Sequence, residues 1–251
     1  MARTFQGSLE VALAMLAGCT AGSSRDAGGG ADSAAEPGEG AAVTDSVAPA
    51  ADSAGWRRLF DGRTLAGWRG FRSDTAPAGW VARDGILART GAGGDIMTVD
   101  QFGDFELELE WRISEGGNSG IMYRVTEEAE APYETGPEMQ VLDDERHSDG
   151  KSQLTSAGSL FGLYPAPREV VRPAGEWNEA RIVADSTHIE HWLNGQKVVE
   201  TEIGTGEWDA KIADSKFAAW PGFAKARRGH IVLQDHGDVV EYRNIRIREI
   251  R

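Results

Sequence analysis

The sequence predicts an all-β protein, a jelly-roll β-sandwich preceded by a disordered leader. Three observations predict it. Phe105 to Ile113 reads FELELEWRI, an apolar/charged alternation with the period of a half-buried strand. Asn194-Gly195 and Asp84-Gly85 each separate two apolar runs, and these are the dipeptides that two-residue hairpins favour. Glycine is abundant, 32 of 251 residues, and no segment shows three convincing helical turns, so many short strands joined by turns are expected.

Taken in order, the chain opens MARTFQGSLEVALAMLAGCTAG. Arg3 precedes a short apolar stretch, Val11 to Gly18, and Leu16-Ala17-Gly18-Cys19 resembles the lipobox of bacterial lipoproteins. That resemblance implies export, cleavage before Cys19 and a lipid on Cys19, which would hold the protein to the membrane of the cell envelope. Thr20 to Gly55 is built from Ala, Gly, Ser, Asp, Glu and Pro. It offers too little apolar surface to offset the entropy of ordering, and reads as a flexible tether. Residues 56–251 form the folded domain. Its strands are expected at Trp80-Val81 and Ile86-Leu87, then at Phe105 to Ile113, Ile121 to Val125 and Glu138 to Leu142. Further strands are expected at Glu179 to Ala184, His188 to Leu193, Lys197 to Glu202, Gly229 to Gln234 and Val239 to Glu249. Short helical pieces are expected near Asp61 to Leu65 or Trp208 to Lys216.

Composition excludes several functions. A net charge of −14 disfavours a nucleic-acid partner, because neutralising phosphates needs Lys and Arg. No apolar run reaches the roughly 18 residues of a membrane-spanning helix. A single Cys rules out an internal disulfide framework and a Cys-rich zinc site. Neither a nucleophile elbow, a phosphate-binding loop nor a dinucleotide fingerprint is present. His188 and His191, three apart in a strand, face opposite ways and make a poor metal pair.

Strand parity then selects candidate residues. Glu138 and Gln140 share one face of their strand, opposite Met139 and Val141. Gln234 and His236 lie with Val232, opposite Ile231 and Leu233. Arg124 lies with Met122, opposite Ile121, Tyr123 and Val125. A carboxylate, two amides, a guanidinium and an imidazole could thus converge on a sugar-sized polar cleft. The competing readings are bland: a solvated face for Glu138, a structural salt bridge for Arg124, and structural hydrogen bonds for the glutamines. His147, on the loop expected after Asp143-Asp144-Glu145, is another candidate. Asn118, Lys216 and Asp143 are candidates for binding substrate, and Trp220 for stacking against it. Trp56, Trp68, Trp111, Trp177 and Trp192 are expected in the core or at sheet edges. Asp143, Asp144, Glu145 and Asp149 could hold a divalent cation, although the spacing of a helix–loop–helix calcium site is absent.

Several segments taken together resemble a known family. They include Leu59-Phe60-Asp61-Gly62 with Gly67-Trp68, and Glu110-Trp111-Arg112 with Gly117-Asn118-Ser119-Gly120. Glu138-Met139-Gln140-Val141 with Asp143-Asp144 and His147 follows, then His191-Trp192-Leu193-Asn194-Gly195, Ser215-Lys216-Phe217 and Leu233-Gln234-Asp235-His236-Gly237. In this order they are similar to the 3-keto-disaccharide hydrolase domain family. The resemblance covers about residues 56–251 and implies a concanavalin A-like jelly roll acting on 3-keto-glycosides. Ser148 to Gly162 departs from the Gly/Asn/Arg/Thr-rich loop of the family and reads as a specificity element.

A 3-keto sugar opens a route that avoids ordinary glycoside hydrolysis. The carbonyl acidifies the carbon-2 proton, a base removes it, the carbon-1 substituent leaves and water adds. On this reading Glu138 or His147 is the base, Arg124 (with or without a divalent metal) stabilises the negative charge, and His236 is the acid. Gln140, Gln234 and Asn118 hold hydroxyls. The alternatives are a non-catalytic, lectin-like carbohydrate-binding module and a structural scaffold lipoprotein.

Overall fold

The computed structural model describes residues 51–250. Cys19 and the leader up to residue 50 lie outside the described residues. Thirteen strands form in chain order: β1 (Arg57–Arg58), β2 (Trp68–Gly70), β3 (Trp80–Arg83), β4 (Ile86–Arg89), β5 (Ile96–Thr98), β6 (Phe105–Ile113), β7 (Asn118–Val125), β8 (Glu138–Leu142), β9 (Asn178–Asp185), β10 (His188–Leu193), β11 (Gln196–Glu202), β12 (His230–Leu233) and β13 (Val240–Glu249). One α-helix, α1 (Gly206–Ala213), follows β11.

The strands build two antiparallel sheets, as the sandwich prediction requires. The larger runs β11-β10-β9-β6-β13-β4-β3, with β1 also on β13. The smaller runs β2-β5-β12-β7-β8. The two predicted hairpins form: Arg83 pairs with Ile86 around Asp84-Gly85, and Leu193 with Gln196 around Asn194-Gly195. Asp84, Gly85, Asn194 and Gly195 all have positive φ, which the paired turn residues of such hairpins require.

Alternation along β6 decides the packing. Phe105, Leu107, Leu109, Trp111 and Ile113 are buried in the inter-sheet core, where they meet Ile121 and Tyr123 of β7, Met139 and Val141 of β8, and Ile231 and Leu233 of β12. The opposite face of β6 carries Glu106, Glu108, Glu110 and Arg112, which pair with Arg248, Arg246, Arg243 and Glu241 of β13 respectively. Three tryptophans stack in this ionic face. Trp177 lies against Arg112 and Arg243, Trp56 against Arg246 and Arg248, and Trp192 against Arg181 and Lys197.

The helical expectations resolve in favour of one. Thr205 caps α1 by accepting the Trp208 N–H at 3.2 Å, so the helix starts ahead of the expected Trp208. Asp61 instead folds its own segment into a turn, accepting N–H bonds from Arg63 and Thr64 at 2.7 Å. This is the local competition by which Asp favours turns over helix interiors.

Candidate active site

The outer face of the small sheet carries the candidate site. Pairing places Gly120 opposite Gln140 and Met122 opposite Glu138. Val232 lies opposite Met122 on one side and Met97 on the other. The chain from Gly158 to Phe161 bonds along the free edge of β8, with Leu160 bridging Met139 and Ser159 O accepting the Gln140 N–H. Extending these registers gives two rows across the sheet. One runs Ser159, Gln140, Gly120, Gln234, Asp95; the other runs Phe161, Glu138, Met122, Val232, Met97. The second row supplies a small apolar cluster of Met97, Met122 and Val232 with Val125. The first is polar, with a glycine at its centre.

Glu138 fills the space that the glycine leaves. A Cβ at position 120 would stand 1.9 Å from Glu138 Oε1. Glu138 is buried, and among the described residues none donates a hydrogen bond to its carboxyl. Burial pushes its pKa up to about 8; Lys216 opposes the rise, while Asp95 and Asp149 add to it. This is desolvation outweighing a nearby cation. Asp95 is pushed up to about 6, mainly by burial and also by the charge of Asp235. The Asp235 N–H, bonded to Oδ1 at 2.7 Å, works the other way. Gln140 is 1% exposed, and among the described residues neither of its amide atoms has a hydrogen-bond partner, nor has the buried Ser159 hydroxyl. Buried polar groups normally find partners, so the polar row is built to receive hydrogen bonds.

Lys216 closes one side. Its ammonium lies 4.4 Å from the ring centre of Phe161, 5.3 Å from Phe217, 5.8 Å from Tyr133 and 5.9 Å from Trp220. Ser215 fixes this segment by accepting the Phe217 N–H at 3.2 Å, which starts the 3-10 turn Lys216–Ala219. Among the described residues, no carboxylate lies within salt-bridge distance of Lys216. Its charge is held over aromatic faces and is left for an incoming anion.

The remaining candidates form the rim. His147 and His236 stand edge to face, 6.1 Å between ring centres. His147 Nδ1 accepts the Asp149 N–H at 3.1 Å, which leaves Nε2 free to carry the proton. Asn118 Nδ2 reaches Asp149 Oδ2 at 3.4 Å.

Two sequence candidates are placed elsewhere. Arg124 does not reach the cluster. Its guanidinium donates to Gly103 O at 3.0 Å, Ser186 O at 2.8 Å and Asp104 Oδ1 at 2.9 Å. The cause is a β-bulge: His230 pairs with Val125 but Val232 pairs with Met122, and Arg124 has φ 52°. The extra residue reverses parity, so Val125 joins Met122 and Arg124 turns away. Asp143 is spent on the loop, accepting the Gly116 N–H at 2.7 Å and the Glu145 N–H at 3.1 Å. Sequence reasoning missed Asp95, Ser159 and the aromatic surround of Lys216. Asp95 precedes a three-residue strand too short to show a period, and the rings come from separate loops.

Two features of the larger sheet compete for attention. His188, Glu190 and Glu200 have metal-ligand spacing, but Lys197 Nζ already bonds Glu190 at 3.1 Å and Glu200 at 2.7 Å. A groove of about 870 Å³ crosses the outer ionic face past Glu108, Arg181, Trp192 and Arg246. Along it Glu108 is paired with Arg246 and Arg181 with Glu106, and none of the carboxyls that burial raises, Glu138, Asp95 and Asp144, lines it, so the smaller sheet is the stronger candidate.

Comparison with known proteins finds similar chains. Residues 55–248 match the profile of the 3-keto-alpha-glucoside-1,2-lyase-like domain. The chain is 36% identical over 240 residues to a 3-keto-disaccharide hydrolase of Bacteroides thetaiotaomicron, with 83% of each chain covered. A crystal structure from Parabacteroides distasonis, provisionally named a glycosyl hydrolase, superposes with a TM-score of 0.74 at 31% identity. It covers 79% of this chain and 95% of that one. A second from the same organism, named the same way, superposes at 0.62 with 29% identity, covering 78% and 99%.

Proposed function

The chain belongs to the 3-keto-alpha-glucoside-1,2-lyase-like domain family, and on that premise we propose that it hydrolyses the glycosidic bond of 3-keto-glycosides or 3-keto-disaccharides. The reaction proceeds by loss of the carbon-2 proton, expulsion of the carbon-1 substituent and addition of water. The observation that carries this reading is the state of Glu138. It is a buried carboxyl with no donor among the described residues, its pKa is pushed to about 8, and the charge of Lys216 acts on it. A proton-transfer group works best with a pKa near the working pH, and an enolate needs a fixed positive partner.

In this reading Lys216 takes the stabilising role that sequence parity assigned to Arg124. The carbonyl at carbon 3 faces Lys216 Nζ, so charge developing on its oxygen meets the ammonium. Gln140, Ser159 and Gln234 bind ring hydroxyls, and Tyr133 and Trp220, 5.4 Å apart, wall the leaving-group side. His147 and His236 contact substrate at the rim. Glu138→Gln is expected to lower turnover of a 3-keto-disaccharide by about 10²–10⁴-fold, with binding of the sugar retained. Near-normal turnover in that variant would remove Glu138 from the mechanism. Cleavage of the unoxidised parent disaccharide at a comparable rate would replace the keto-dependent route with ordinary hydrolysis, and saturable binding without product would favour a lectin-like module. We further propose, from the lipobox alone, that the protein is exported and membrane-anchored through Cys19. Cys19→Ala would then move it from the membrane fraction to the soluble fraction of the envelope.

A further inference from the structure

We propose that two carboxyls divide the proton transfers: Asp95 removes the carbon-2 proton, and Glu138 donates a proton to the departing glycosidic oxygen. The proposal rests on the elimination reading above. Its ground is the unlike hydrogen bonding of two carboxyls on one face of one sheet. Asp95 Oδ1 accepts the backbone N–H of Asp235 at 2.7 Å, a contact that favours the ionised form and leaves the other oxygen available as a base. Glu138 is folded over Gly120 with no donor among the described residues, a setting that favours the protonated form. Asp235, which gives Asp95 that N–H, has its own carboxylate paired with Arg89 at 2.7 Å, and among the described residues no cation lies within salt-bridge distance of Asp95. The two carboxyls feel one another, since Asp95 contributes to the rise at Glu138. Their raised values, about 6 for Asp95 and about 8 for Glu138, agree with this order at neutral pH. Environments that separate two titrating groups assign base and acid.

The floor geometry suits the division. Asp95 and Gly120 lie in the same row, on strands two apart in the sheet, roughly 9–10 Å at ordinary strand spacing. That leaves room for one sugar ring between the base and the carboxyl lying over the glycine. Asp95 takes the carbon-2 hydrogen as a proton, and its bonding pair passes into the enolate, whose oxygen meets Lys216. The enolate re-forms the carbonyl as the carbon 1–carbon 2 double bond forms and the carbon 1–oxygen bond breaks; the leaving oxygen takes the proton of Glu138. Water then adds to carbon 1, losing a proton to the Glu138 carboxylate, while carbon 2 recovers a proton from Asp95. Both carboxyls return to their starting states.

The test uses the whole protein, two variants, two 3-keto-glucosides and deuterium exchange at carbon 2. With Glu138→Gln, release of methanol from the methyl glycoside should fall about 100-fold or more, whereas release of 4-nitrophenolate should fall less than about tenfold, because that leaving group needs little protonation. Exchange at carbon 2 should persist. With Asp95→Asn, both cleavages and the exchange should fall together, and Asp95→Glu should recover part of each. Wild-type exchange in Asp95→Asn, or equal losses on both leaving groups in Glu138→Gln, would overturn the assignment. If the wild-type enzyme neither exchanged the carbon-2 hydrogen with solvent nor showed an isotope effect with carbon-2-deuterated substrate, elimination itself would fail and the division of roles with it. Equal losses in Glu138→Gln alongside a normal isotope effect would leave elimination standing and reject only the division.

Discussion

Glu138 occupies the volume that any side chain at position 120 would need. Its Oε1, Cδ and Cγ lie 1.9, 2.7 and 2.9 Å from the Cβ that an alanine would place there. The glycine is thus required by a carboxylate on the neighbouring strand. Gly120→Ala is expected to leave the sheet intact and push Glu138 into another rotamer. Overpacking costs about 1–3 kcal/mol, while misplacing a reacting group by about 1 Å costs roughly 10²-fold in rate. Turnover should fall far more than the melting temperature; an unchanged kcat would show that the seat is not needed.

Burial of Glu138 should be visible in stability. The folded state holds its proton up to about pH 8, whereas the ordinary value is 4.5. Between those values the folded protein binds more protons than the unfolded chain, so stability falls as pH rises from about 4.5 through about 8. Glu138→Gln removes this loss and should be the more stable protein at pH 8.5, by on the order of 3–5 kcal/mol. Denaturant unfolding at pH 5 and pH 8.5 measures it, and parallel curves for the two proteins would contradict the burial argument.

His191 tilts the acid side of the curve in the opposite sense. It lies fully buried in the core, its Nε2 3.0 Å from the Tyr123 hydroxyl and its Nδ1 3.1 Å from Gly158 O. Burial depresses its pKa from 6.5 to about 4. The unfolded chain therefore takes up the proton first, and stability is lost as pH falls from about 6.5 towards about 4. Tyr123→Phe should cost about 1–3 kcal/mol at pH 7 by stranding the ring nitrogen, with kcat per folded molecule unchanged.

Arg124 and Lys216 are expected to behave as opposites. Arg124→Met strands Gly103 O, while Ser186 O keeps Arg227 and the partly exposed Asp104 keeps the Ser186 N–H, and it should destabilise by about 1–3 kcal/mol while sparing kcat. Lys216→Met, at an exposed position, should change stability by less than about 0.5 kcal/mol and lower kcat by roughly 100-fold. Thermal unfolding and steady-state kinetics on the same preparations decide it. A reversed pattern would restore the role that strand parity alone gave to Arg124.

That reversal marks where sequence reading succeeds and where it stops. FELELEWRI announces its strand because one face meets a core and the other meets arginines. Glu138, Gln140 and Gln234 are correctly placed on one face because their segments are regular. Arg124 is misplaced because a bulge depends on the partner strand, and nothing in Met122-Tyr123-Arg124-Val125 records how His230 and Val232 will pair. Lys216 could be suspected, but its surround assembles from Tyr133, Phe161, Phe217 and Trp220 only in three dimensions. Asp95 carries no local signal at all; its significance comes from the register of β5 against β12.

The segment read from sequence as a specificity loop also serves as the last hydrogen-bonded neighbour of β8. Gln140 N–H bonds to Ser159 O, Phe161 N–H to Glu138 O and Gly158 N–H to Gln140 O. Substrate preference and sheet integrity are therefore written in the same stretch of chain. A graft of residues 148–162 from a relative would transplant an edge strand along with its recognition groups, so exchanges that preserve these three backbone bonds should retain a working fold, and those that shift them by one residue should lose selectivity and solubility together.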